Sequence, residues 1–147
     1  MALQIVRRAT AKWSGSDSAG TGSISLGSGA FTGPYSLKSR IDDVPQSNPE
    51  ELIGAALAGC FAMALSSELA GAGHEPTSLE VNAKVKMVEE PGRFSITLIQ
   101  LEVNGVVPGL DEEEFFGFAD ATKSACPVSR ALAGTSIELQ RGSYSNG

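Results

Sequence analysis

The chain has 147 residues, 41% hydrophobic and 19% charged, the balance of a folded globular protein and not of a disordered one. Eleven basic and 17 acidic residues leave a formal charge of −6, and a surface of that sign repels phosphate backbones and anionic lipid, so neither nucleic acid nor a membrane is expected as a partner. No unbroken apolar run reaches the roughly 18–20 residues of a bilayer span. Met1 to Trp13 mixes apolar residues with Arg7, Arg8 and Lys12 instead of forming a signal peptide's apolar stretch, so a single cytoplasmic domain over 1–147 is expected.

In chain order, residues 3–12 read as a strand and Gly15 to Gly22 as a turn region. Extended runs over 23–26 and 30–41 follow, broken by Gly27, Gly29 and Gly33-Pro34 into an antiparallel meander. A helix opens at Asn48-Pro49-Glu50-Glu51, with a capping side chain, a proline for the first turn and acids at the positive dipole end, and it closes near Gly71 or Gly73. Between Glu51 and Glu68 it carries no charge. A helix apolar all round is buried on every side, deep in one domain or across a subunit interface, and Gly54, Ala55, Ala58, Gly59 and Ala62 permit close helix–helix approach. The expectation is a dimerisation element.

Leu79, Val81, Ala83, Val85 and Met87 alternate with polar residues as a half-buried strand, and Pro91-Gly92 turns the chain. On the next strand Phe94, Ile96 and Leu98 hold one phase while Ile99, Leu101 and Val103 hold the other, which implies a bulge or a strand buried on both faces. A second helix runs from the acids 111–114 to Lys123, a short one follows Cys126-Pro127, and 135–140 makes a last strand before a tail. The sum is an α+β fold with mostly antiparallel pairing.

The chemistry rests on two cysteines, Cys60 and Cys126. With His74 alone beside them in a loop, no closed metal site is expected from one chain. Paired thiols in a reducing compartment are more often catalytic or redox-sensing than structural. Local physics ranks Cys126 first as a thiolate, since it stands at a helix N-terminus with Lys123 and Arg130 close in sequence, whereas burial in an apolar helix makes Cys60 inert. That ranking holds only if no distant cation reaches Cys60.

The run from Asn48 to Ala56, then Ala58-Gly59-Cys60-Phe61-Ala62-Met63-Ala64-Leu65, resembles the signature of the OsmC/Ohr proteins, thiol-dependent hydroperoxide reductases. Ala125-Cys126-Pro127-Val128-Ser129 resembles their second-cysteine motif, and Tyr35 to Arg40 the arginine-bearing strand of the OsmC branch. Val107-Pro108-Gly109-Leu110-Asp111 is similar to the start of its second helix. Leu57 and Gly59 depart from the pattern beside the cysteine. The resemblance implies an OsmC-like fold, antiparallel sheets wrapped around a central buried apolar helix, in an intertwined homodimer. It implies Cys60 as the peroxidatic cysteine, Cys126 as the resolving one, and Arg40 and Glu50 as the polar partners that activate Cys60, with no cofactor and no metal. Without the motif, Arg40 reads as an exposed strand-end residue and Glu50 as a helix-dipole acid.

Organic hydroperoxides are the implied substrates and an external dithiol, such as a lipoylated protein, the implied reductant. Phe61, Met63, Phe115, Phe116 and Phe118 would line an alkyl pocket or form core. Glu50 and Cys60 of one continuous helix stand about 15 Å apart, so a carboxylate serving Cys60 comes from the partner subunit or a loop excursion. Two other functions use the same residues: a dithiol redox sensor without peroxide turnover, and a dimeric stress protein whose cysteines only pack.

Overall fold

In the computed structural model, which describes residues 2–147, the chain divides into two compact units, Met1–Leu52 and Ile53–Gly147. The first contains the expected meander as β1 (Ala9–Ser14), β2 (Thr21–Leu26) and β3 (Thr32–Tyr35), antiparallel and in that spatial order. Strand β1 begins at Ala9, not at residue 3, because its ladder runs out where Ala9 faces Leu26, the last residue of β2. At Gly22 a Cβ would stand 2.5 Å from the Tyr35 ring and 2.7 Å from the Trp13 ring. Its absence lets those two rings pack at 5.3 Å.

The extended run expected over 30–41 stops at Tyr35. Leu37–Ile41 is a short helix, α1, so Arg40 is helical and not on a strand. The cause is local: the Ser36 hydroxyl accepts the Ser39 N–H while the Ser39 hydroxyl accepts the Ser36 N–H, a capping box that outcompetes strand continuation.

Helix α2 (Pro49–Gly71) starts where expected, with the Asn48 side chain accepting the Glu51 N–H at 2.8 Å. At its other end the His74 N–H reaches Leu69 O at 2.8 Å across Gly73, whose φ of +88° favours glycine, so His74 terminates a helix. In the second unit follow β4 (Ser78–Glu90), β5 (Arg93–Val106), α3 (Glu112–Ala125), α4 (Pro127–Ala131) and β6 (Ser136–Ser145). The apolar phase switch on β5 is a bulge: Lys86 faces Leu98 and Met87 faces Ile96, leaving Thr97 as the extra residue. One inserted residue puts Ile99, Leu101 and Val103 on the buried face.

One expectation is corrected at the C-terminal end. The segment 141–147 is not a tail: β6 runs on to Ser145, and the Tyr144 ring stacks on Phe115 at 4.7 Å while its hydroxyl donates to Leu110 O at 2.5 Å and Val107 O at 3.1 Å. Pairing is mostly antiparallel, as expected, and β6 lies parallel to β5. The β5–β6 connection carries α3 and α4, long enough for the crossover that parallel strands need.

One stripe of α2 (Leu57, Phe61, Leu65, Leu69) is fully buried in a cluster with Ile99, Leu101 and Val103 of β5 and Phe115, Phe116 and Ala119 of α3. Burying a side chain of that size contributes about 1.5–3 kcal/mol. A single chain covers only that stripe: Met63 on the far side is 77% exposed. Gly54 is on the covered side, where a Cβ would meet Val85 at 3.2 Å, so its smallness serves contact with β4, whereas a Cβ at Gly59 would meet nothing. With its flanks the helix reaches 23 residues and a mean hydropathy of 1.7, enough by length and composition to cross a membrane. Its stripe is instead seated on sheet and helix side chains, as in a core helix.

Candidate active site

In the first unit, hydrogen bonds fix one charged pair. Asn48 Nδ2 donates to Ser39 O at 3.1 Å and the Ser39 hydroxyl donates to Ser47 O at 2.7 Å, tying α1 to the start of α2. That tie sets Arg40 against Glu50. The guanidinium donates through Nη2 to Oε1 at 2.5 Å and through Nε to Oε1 at 3.1 Å and Oε2 at 3.3 Å, the forked geometry a planar donor set favours. Glu50 is buried while the Arg40 side chain keeps 34% exposure. The hydrogen bond to Glu50 raises the Arg40 pKa, against a smaller downward push from burial, so the positive charge is permanent. A hollow of about 260 Å³ beside Arg40 is lined by Trp13, Tyr35, Leu37 and Pro49 together with the polar Asp17 and Ser36.

In the second unit, α2 and the α3–α4 junction bring the two thiols together. Cys126 is fully buried and caps α4, its sulfur accepting the Ser129 N–H at 3.5 Å. Cys60 is half-buried, and both cysteines are free. The two thiols act on one another, which raises the pKa of Cys60 and lowers that of Cys126. For Cys60, burial is the largest cause and drives the pKa up. For Cys126, burial is also the largest single influence and works upward, but the Ser129 N–H, the Cys60 thiol, the Ser129 hydroxyl and the Val128 N–H together hold it below the ordinary thiol value. Local reasoning from the sequence thus ranks the thiols as the single chain does. Its reason was partly wrong: Lys123 and Arg130 are not among the groups that act on Cys126, and neutral donors do the work.

All four predicted residues therefore occur in two pairs, Arg40 with Glu50 and Cys60 with Cys126. Helix α2 carries Glu50 near its start and Cys60 ten residues further on. Of the five residues expected to line an alkyl pocket or form core, Phe61, Phe115 and Phe116 are core, Phe118 packs against it partly buried, and Met63 lies open. Sequence reasoning missed Ser39, Asn48 as a tie between helices, and Ser129. The signals were present in Ser36-x-x-Ser39 and in a serine three residues after the capping cysteine.

A free thiol pair joined across two helices, beside an apolar α2, is the arrangement the second-cysteine motif anticipates, and residues 42–140 match the family model of the OsmC-like proteins. This chain belongs to the OsmC-like protein family. It is 40% identical to Peroxiredoxin OsmC of Escherichia coli (strain K12) over 131 residues, 88% of this chain and 92% of that protein. With the Organic hydroperoxide resistance protein of Xanthomonas axonopodis pv. citri it shares 32% over 89 residues, 60% of this chain and 61% of that one. Among solved structures, the organic hydroperoxide resistance protein OhrB of Bacillus subtilis superposes with a TM-score of 0.76 at 24% identity, covering 94% of this chain and 98% of that one. The α+β arrangement seen here is thus the OsmC-like fold, as the sequence resemblance implied.

Proposed function

We propose that this OsmC-like chain reduces organic hydroperoxides, alkyl and fatty-acyl, in preference to hydrogen peroxide, with Cys60 as the attacking sulfur and Cys126 as its resolving partner. The chain is a peroxide-detoxifying enzyme of the cysteine-based kind, as its named relatives are. The Cys60 thiolate attacks the distal oxygen of the hydroperoxide. The O–O bond breaks, the alkoxide takes a proton and leaves as alcohol, and Cys60 becomes a sulfenic acid. The Cys126 thiolate then attacks that sulfur, forming the S–S bond as the oxygen departs with a proton as water, and an external dithiol such as a lipoyl group takes the disulfide back to two thiols.

The observation that carries this reading is that the two free thiols lie near enough for each to shift the ionisation of the other, as a pair that closes into a disulfide must. Access supports Cys60 as the first to react, since it is half-buried and Cys126 is sealed. Ionisation within one chain favours Cys126, and that is the specific support for a second reading in which Cys126 attacks first. The first reading requires a cation near Cys60. The Arg40–Glu50 pair of a second copy is the proposed source, in a homodimer that covers the Met63 side of α2. The hollow at Arg40, with Trp13 and Tyr35 in its wall, suits an apolar tail. The proposed compartment is the cytoplasm.

The test is hydroperoxide consumption by the unsubstituted chain, Cys60→Ser and Cys126→Ser, with dihydrolipoyl reductant and hydrogen peroxide for comparison. Complete loss in Cys60→Ser with one oxidation retained in Cys126→Ser supports the assignment. The reverse pattern hands the attack to Cys126, and a reversible disulfide without turnover means a redox sensor.

A further inference from the structure

Ser129 lies on α4, three residues past Cys126, and is only 6% exposed. Its backbone N–H is already given to the Cys126 sulfur, while its hydroxyl, fully buried, makes no hydrogen bond of good geometry among the described residues and yet lies near enough to that sulfur to help hold its pKa down. Native proteins leave few such groups, and one beside a reactive sulfur calls for a reason. The reason lies in what happens to the neighbouring donor. In the reduced protein the Cys60 thiol helps hold the Cys126 pKa down, and that help is lost once Cys60 has been oxidised.

We propose that Ser129 is a positioning residue for the resolving step, its hydroxyl donating to the Cys126 thiolate once the Cys60 thiol no longer helps to hold it. This rests on the reading that Cys126 resolves. The serine keeps its proton throughout: the Cys126 electron pair forms the S–S bond, the Cys60 S–O bond breaks, and the oxygen leaves with a proton as water. Burial on its own would push the Cys126 thiol up, and the groups acting the other way are the Ser129 N–H and hydroxyl, the Val128 N–H and the Cys60 thiol. Cys60, facing from α2, is the titratable member of that set; Lys123 on α3 and Arg130 on α4 are not in it. Removing the hydroxyl should therefore be felt directly.

The experiment titrates the thiolate ultraviolet absorbance of Cys126 in a Cys60→Ala background, which leaves no donor at position 60, alone and with Ser129→Ala, Ser129→Gly or Ser129→Thr, with folding checked by circular dichroism. The two hydroxyl-free variants are expected to raise the midpoint by roughly one pH unit, and Ser129→Thr to restore it. In the two-cysteine protein, Ser129→Ala should slow disulfide closure about tenfold at neutral pH and leave the first oxidation of Cys60 within about twofold. An unmoved midpoint in a folded hydroxyl-free variant overturns the proposal, as does an equal rise in Ser129→Thr, which would mark a packing effect. A raised midpoint with no peroxide consumption by the unsubstituted protein keeps the serine–thiolate contact and removes the proposed function. Full turnover with an unmoved midpoint does the opposite.

Discussion

The two units of this chain are held together by different forces. Among the described residues of Met1–Leu52 the buried positions are Gly20, Ser39 and Glu50, and no large apolar side chain is fully enclosed. Every buried hydrophobic residue belongs to Ile53–Gly147, from Leu57 to Cys126. The first unit spends its order on a polar knot of Asn48, Ser39, Ser47 and Glu50 whose product is a fixed arginine. The second uses aliphatic and aromatic packing to seal a sulfur. A charge needs hydrogen bonds to hold its direction, whereas the apolar packing keeps solvent from the Cys126 sulfur, so the two regions differ in what surrounds their polar groups.

If that division is real, substitutions in the apolar region should cost stability and those in the polar region should cost chemistry. The largest expected effect is Phe61→Ala, a loss of about 3–5 kcal/mol in denaturant unfolding, because the side chain is fully enclosed and its site cannot collapse. A loss below about 1 kcal/mol would mean α2 is not the centre of this core. Next, Arg40→Ala should slow the first oxidation of Cys60 roughly a hundredfold in single-turnover measurements, with thermal midpoint shifted by only a few degrees. Equal loss of stability and rate would erase the contrast.

Arg40→Lys sharpens the same point. Lysine keeps the charge but not the fork that grips both Glu50 oxygens, so a decrease of about tenfold is expected. Asn48→Ala removes the cap of α2 and the tie to α1 together, and about 1 kcal/mol of stability should go with it. The accompanying drop in peroxidase rate should exceed that of an equally destabilising change in the core. The smallest effect is Tyr144→Phe, about 1 kcal/mol from the hydroxyl's bonds to Leu110 and Val107, with turnover unchanged.

The pH dependence carries a sign as well. Cys126 is held low in the fold, so its contribution to stability is present above the ordinary thiol pKa and disappears as pH falls through the lowered value. Cys60, held high by burial, works the other way: what it contributes is lost as pH rises through its raised pKa. Unfolding of the two single-serine variants across the alkaline range should show opposite slopes.

What could be read in the sequence follows the range of the forces involved. The start of α2 at Asn48-Pro49 and its end near Gly71 were legible because caps act within four residues. The thiols were legible as a pair through two motifs. Helix α1 was not, since Tyr35 to Ile41 has strand-like composition and only the Ser36–Ser39 exchange decides otherwise. Strand β6 past Gln140 was hidden because Arg141, Gly142 and Ser143 look like a tail until β5 offers a parallel edge. The low Cys126 pKa was anticipated, but neutral donors three residues away are silent in a charge count.

The late arrival of β6 bears on how this protein is made. Helix α2 leaves the ribosome with all its apolar faces bare, and the sheet that will seat one of them stays incomplete until the residues up to Ser145 have followed. Through that interval the nascent chain displays a 23-residue helix that matches a membrane span in length and composition. How long it stays bare depends on how soon the β4–β5 hairpin claims the Leu57–Leu69 stripe, since hairpins close in microseconds while synthesis proceeds at about 5–20 residues per second.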